Sequence, residues 1–168
     1  MGVGLCDEKV FSGVFESYSK TLFTYIYYKT GDSDLAWDVT QDSFLGLWKN
    51  CAKVGLNTAK GYVFQTGNNL LKNIFAKEKV RSKYLSRPFK LETRISPEFL
   101  LEEKELREAL TKAIEELPEK QRVVFLMSRV DKMKYKEIAE ILEISVKAVE
   151  KRMANALSSL RKVSELIK

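Results

Sequence analysis

The chain has 168 residues, 45% hydrophobic and 31% charged, with a formal net charge of +6 and no histidine. That length suits one domain or two small helical ones, and the basic balance points to a polyanion, either nucleic acid or an acidic membrane face. The missing histidine removes the commonest general base and argues against hydrolases.

The N-terminus, Met1 to Glu8, is short and acidic at its end, unlike a secretory signal. No apolar run approaches the roughly 18 residues of a membrane span. The two distant cysteines, Cys6 and Cys51, make neither a disulfide scaffold nor a zinc site. They read as reduced thiols, and the chain as a cytoplasmic protein. Glycine and proline are scarce, and helical spacing recurs where alternating runs are absent, so the expected class is all-α.

Residues 8 to 29 carry Val10, Phe11, Val14, Phe15, Tyr18, Leu22, Tyr25 and Ile26 at helical steps. Gly31 ends that helix, and Asp32 or Ser33 can cap the next. "DLAWDVTQDSFLGLWKN" then places Leu35, Val39, Phe44, Leu45 and Trp48 inward, with Asp34, Asp38, Gln41 and Asp42 as a polar stripe. After a loop around Gly55, residues 58 to 84 can run as one long helix, with Gly61 and Gly67 in its interior. Pro88 and Pro97 then punctuate a stretch without period, which reads as a linker over 86–103 between a unit at 5–85 and a second at 104–166. In the second unit Leu106, Leu110, Ile114 and Leu117 line one helix, Pro118 opens the next, and Val123, Val124, Phe125 and Met127 form a short buried helix.

"YKEIAEILEISVKAVEKRMANALSSL" follows, two short helices with Glu143, Ile144 and Ser145 between them. Ile138, Ala139 and Leu142 face inward from the first. Ser145 can cap the second, whose apolar face is Val149, Met153, Ala156, Leu157 and Leu160. This is a helix-turn-helix pattern. Its second helix shows Lys147, Ala148, Glu150, Lys151, Arg152, Ala154 and Asn155, a set able to meet base edges and phosphates in a major groove. Two basic runs accompany it. Lys72, Lys77, Lys79, Arg81, Lys83, Arg87, Lys90 and Arg94 face only Glu78 and Glu92. Between Lys120 and Lys136 six positive residues face only Asp131. One such run in each unit favours a phosphate backbone across both.

Three stretches carry a family resemblance. "YKEIAEILEISVKAVEKRMANALSSLRK", preceded by "ELPEKQRVVFLM", resembles region 4 of the sigma-70-type RNA polymerase sigma factors. "DLAWDVTQDSFLGLWKN" resembles region 2, and "GYVFQTGNNLLKNIF" resembles its promoter-melting helix. The short chain with only these regions is similar to the extracytoplasmic-function (ECF) group. The resemblance implies a transcription initiation factor that binds core RNA polymerase and promoter DNA and is held by an anti-sigma factor. It implies no enzymatic chemistry, cofactor, metal or small-molecule substrate.

By position, the resemblance assigns polymerase docking to Asp38, Gln41, Asp42, Leu45 and Trp48. It assigns promoter melting to Asn68, Asn69, Lys72, Asn73, Lys77, Lys79, Arg81 and Lys83, with Tyr62 and Phe64 as possible stacking partners. Duplex recognition falls to Ser145, Lys147, Ala148, Glu150, Lys151, Arg152 and Asn155. The chain departs from the pattern at Glu143, where a turn glycine is common, at Ala148, where Thr is common, and at Glu150, where a basic residue is common. A stand-alone helix-turn-helix regulator explains the second unit and the charge, but not the acidic-amide stripe.

Overall fold

A computed structural model describes residues 4–77, 88–91 and 104–166; of the last span, side chains are described for 107–162. All regular structure among these residues is helical. The first unit holds α1 (Glu8–Thr30), α2 (Ser33–Lys49), a 3-10 turn (Leu56–Thr58) and α3 (Ala59–Ala76). The second holds α4 (Lys104–Glu115), α5 (Glu119–Arg129), α6 (Tyr135–Leu142) and α7 (Val146–Leu166). No helix among the described residues is long and apolar enough to cross a membrane.

Local chemistry sets the helix ends. The Asp7 carboxylate accepts from the Lys9 and Val10 amides at 3.0 and 3.2 Å and opens α1. Gly31, at φ 67°, closes it in the left-handed region that glycine enters without steric cost. Asp32 then accepts from the Leu35 amide at 2.9 Å and starts α2. With only Gly31 and Asp32 between them, α1 and α2 form a tight antiparallel hairpin, and α3 packs on α2. Their core is built from Leu22, Ile26, Tyr28, Val39, Leu47, Val63 and Leu71.

Two expectations for this unit are corrected. Leu45 and Trp48 do not face inward: they are 49% and 42% exposed, and Leu47 is the fully buried residue. The buried stripe of α2 is Ala36, Val39, Thr40, Ser43, Phe44 and Leu47. It includes two hydroxyl residues that satisfy themselves locally, Thr40 to the Ala36 carbonyl at 2.7 Å and Ser43 to that of Val39 at 2.6 Å. A purely apolar reading of the periodicity therefore turned the end of the helix the wrong way.

The cysteines are not reduced thiols in this structure. Cys6 and Cys51 form a disulfide across 45 residues, with Cα atoms 5.1 Å apart. The hairpin brings them together, because the start of α1 lies beside the end of α2.

Gly67 marks the closest approach of α3 to the hairpin. A Cβ there would lie 3.1 Å from Leu22 Cδ1 and 3.2 Å from Ser43 Oγ. Leu22 is fully buried, and the Ser43 hydroxyl is committed to the Val39 carbonyl, so neither can give way easily. Gly67→Ala is expected to destabilise the unit by about 1–3 kcal/mol despite its gain in helix propensity. Urea unfolding followed by circular dichroism checks this; a neutral or stabilising result would mean the neighbours relax.

In the second unit α7 packs against α4, α5 and α6 over Ile114, Leu126, Ile138, Val149, Met153 and Leu160. Part of the expected linker joins this unit. Phe89 is buried against the Arg122 guanidinium, 4.0 Å from ring centroid to Cζ, and the Leu91 amide donates to Glu115 Oε1 at 2.8 Å. Arg122 also donates to the Leu117 carbonyl at 3.0 Å, across the corner between α4 and α5. Burial lowers its pKa from the ordinary value and the Glu119 charge opposes this. The guanidinium remains a cation at neutral pH.

Candidate functional site

The α6–α7 pair is a helix-turn-helix with a well-defined turn. The Ile144 amide donates to the Ala139 carbonyl at 3.0 Å, closing α6. Glu143 holds the left-handed conformation at φ 54°, where a side chain costs about 1–2 kcal/mol relative to the right-handed region. Ser145 Oγ accepts from the Ala148 amide at 3.1 Å and caps α7, as expected from sequence. At the other end, the Glu137 carboxylate accepts from the Lys134 amide at 2.9 Å and fixes the start of α6.

Val149, Met153, Ala156 and Leu160 anchor α7 in the core, whereas Leu157 is half-buried. On α6 the fully inward residues are Ile138, Ala139 and Ile141; Leu142 is half-buried. Lys147, Glu150, Lys151 and Asn155 are exposed with Ser145, while Ala148 and Arg152 are half-buried at the margin of that face. In the same unit Lys120, Arg129, Lys132, Lys134 and Lys136 are exposed. Arg122, the sixth basic residue of that run, is turned into the fold under Phe89 and adds nothing to the surface.

In the first unit, the expected melting residues divide. Asn69, Lys72, Asn73 and Lys77 are exposed on α3 and at its C-cap. Asn68 is not with them. It is buried, and its Oδ1 accepts a 2.6 Å hydrogen bond from the Tyr25 hydroxyl, so it ties α3 to α1 and presents no amide to DNA. Phe64 is likewise core, beside Tyr25. Tyr62 is half-buried, its hydroxyl accepting from Asn50 Nδ2 at 3.0 Å, which fastens α3 to the end of α2. Lys79, Arg81 and Lys83 lie outside the described residues.

The third surface is on α2. Asp38, Gln41 and Asp42 are exposed together with Leu45 and Trp48. Helical spacing puts Gln41, Leu45 and Trp48 in one row, flanked by Asp38 and Asp42. Trp37, one turn before Gln41, extends the row; it is 47% exposed and rests on Phe23 with ring centroids 4.7 Å apart. Sequence reasoning passed over it. A tryptophan one helical turn before Gln41 and two before Leu45 was the available signal. Trp48 is backed by Phe11 of α1, edge to face at 4.9 Å. The face thus combines acidic groups, an amide and large apolar side chains on a rigid helix, a composition suited to protein docking.

Each of the two units matches a known protein family. Residues 14–81 match the sigma-70 region 2 family, and residues 107–160 match the sigma-70 region 4 family. Among curated proteins, the chain is 25% identical over 178 aligned positions to the ECF RNA polymerase sigma-E factors of Salmonella typhimurium and of Escherichia coli K12. That alignment covers 96% of this chain and 91% of theirs. It is 24% identical to the ECF RNA polymerase sigma factor SigW of Bacillus subtilis, covering 93% of this chain and 89% of that one. Among solved structures, the sigma factor RpoE of Bartonella quintana, crystallised with the anti-sigma factor NepR, shares the fold with a TM-score of 0.60. Identity there is 17%, with 94% of this chain and 98% of that one covered. The three-helix unit of α1–α3 and the capped helix-turn-helix of the next unit therefore fall in the two regions that define one group: the chain belongs to the sigma-70 family of RNA polymerase sigma factors, in its ECF group.

Proposed function

We propose that this chain binds core RNA polymerase through the exposed row of α2, and that it carries no catalysis of its own. In this reading α7 enters the major groove of an upstream duplex element. Asn69, Lys72, Asn73 and Lys77 on α3 engage the strand exposed as the promoter opens. The protein then acts in the cytoplasm, where polymerase and promoter are. The observation that carries the reading is the pairing, in one chain, of an unburied acidic, amide and aromatic row with a capped recognition helix. A stand-alone regulator has no use for the first. An anti-sigma factor is the proposed third partner, on the likeness to the Bartonella protein solved with one.

Run-off transcription with core polymerase and a genomic promoter pool tests the proposal. Initiation that depends on the added chain is the expected result, and its absence overturns the reading. Two variants separate the roles. Lys151→Ala is expected to weaken duplex binding and to reduce the salt slope of log K by about one if the ammonium meets a phosphate. An unchanged slope removes that contact. Asn69→Ala should spare duplex binding and reduce open-complex formation by about one to two orders of magnitude if a base edge is lost, by analogy with about 1–3 kcal/mol per base contact. Permanganate footprinting that shows normal melting contradicts the assignment.

A further inference from the structure

The Cys6–Cys51 disulfide stands at one end of the docking row. Cys6 is solvent-exposed and directly precedes Asp7, the residue that caps α1. Cys51 is half-buried in the turn after α2, and its amide donates to the Trp48 carbonyl at 3.2 Å. Five residues beyond Cys6, Phe11 supports the Trp48 ring. One covalent bond therefore joins the backbone that carries Trp48 to the backbone that carries its support.

Asp7 is bonded into the first turn of α1; ahead of it, besides the disulfide, the described residues show the buried Leu5 side chain and a turn bond from the Asp7 amide to the Gly4 carbonyl at 3.0 Å. A disulfide in the reducing interior of a bacterium is seldom a permanent brace; where one occurs it is usually transient, catalytic or redox-sensing. Small thiols can reach this one at Cys6.

Resting on the reading of α2 as the polymerase-docking face, we propose that Cys6 and Cys51 form a reversible redox couple that tunes this face, with the oxidised form binding core polymerase more tightly. The reaction is thiol–disulfide exchange with a low-molecular-weight thiol. A thiolate attacks one sulfur, the S–S bond breaks, one cysteine leaves as a thiolate and a mixed disulfide forms on the other; a second thiolate then attacks the small-molecule sulfur of that mixed disulfide and releases the second cysteine as a thiolate. In sum, the protein disulfide and two thiols give two protein thiols and one small-molecule disulfide, and two electrons pass to the protein. Oxidation runs the same exchange backwards, with the small disulfide as oxidant.

The consequence follows from preorganisation. With the bond closed, Phe11 holds Trp48 in place before any partner arrives. With it open, the start of α1 and the Trp48 side chain must be ordered on binding, which lowers affinity by about three- to tenfold.

The test equilibrates the full chain with glutathione and glutathione disulfide at varied ratios and counts free thiols by alkylation. Acrylamide quenching of a Trp37→Phe variant reports on Trp48 alone, since Trp37 and Trp48 are the two tryptophans of the chain. Affinity for core polymerase is measured on the wild-type chain in both states and on Cys51→Ser. The expected result is a couple that opens in millimolar glutathione, easier quenching of Trp48 once open, and tighter polymerase binding by the oxidised form. Cys51→Ser should match the reduced chain at every ratio. A disulfide that resists millimolar glutathione, or Trp48 quenching that ignores its opening, overturns the inference. Equal polymerase affinity in both states also overturns it while leaving the docking face standing. If neither state binds polymerase, the docking reading falls and takes this inference with it.

Discussion

Leu45→Asp is expected to weaken binding to core RNA polymerase at least tenfold, about 1.4 kcal/mol or more, while leaving the unfolding midpoint nearly unchanged. The position makes the test clean. Leu45 is 49% exposed and lies outside the buried core of the unit, so an unchanged unfolding midpoint separates a docking defect from structural damage. The row already has Asp38 and Asp42 on its flanks, so another carboxylate removes an apolar anchor without reversing the local charge. Truncating Trp48 would be the stronger but less readable change, because its ring also packs on Phe11. Fluorescence anisotropy or co-elution with core polymerase measures the loss. Undiminished binding by a folded Leu45→Asp chain would place the docking surface elsewhere.

Reducing the Cys6–Cys51 bond is expected to cost the first unit about 2–4 kcal/mol, the usual range for a cross-link of this kind. The bond spans 45 residues. For a loop of that size the chain-entropy relation gives about 4 kcal/mol at 25 °C, chiefly by restricting the unfolded chain. In a unit this small the melting midpoint should fall by roughly 10–25 °C. Both tryptophans lie in that unit, so their emission follows its transition with little contribution from the second. Melts with and without reductant, beside a Cys51→Ser chain that cannot close the loop, measure the effect. If reductant leaves the midpoint in place, the bond does not brace the unit.

Much of the fold was legible because its ends are written in local chemistry. Gly31, Asp32, Pro118 and Ser145 each stand where a helix begins or stops, for reasons a single residue carries. Helix α7 was readable for the same cause: its buried positions recur with the helical period and are apolar throughout.

What sequence did not disclose depends on partners brought from afar. Asn68 looked like its neighbour Asn69 until the fold placed Tyr25, 43 residues earlier, within 2.6 Å of it. Arg122 looked like one more surface cation, yet Phe89 covers it. Thr40 and Ser43 hid the true inward face of α2, because a hydroxyl bonded to its own helix can enter a core at little cost. The cysteines were a matter of topology, since only the tight hairpin brings positions 6 and 51 together.

The Phe89 contact bears on any attempt to dissect the chain. A C-terminal piece begun at Lys104 would strip the ring from the Arg122 guanidinium and the Leu91 amide from Glu115, leaving a raw apolar notch and a wetted cation at the corner of α4 and α5. Begun at Pro88, the piece keeps its own lid. Loss of duplex binding by the shorter fragment would then report a missing cover and would say nothing about which helix reads the DNA.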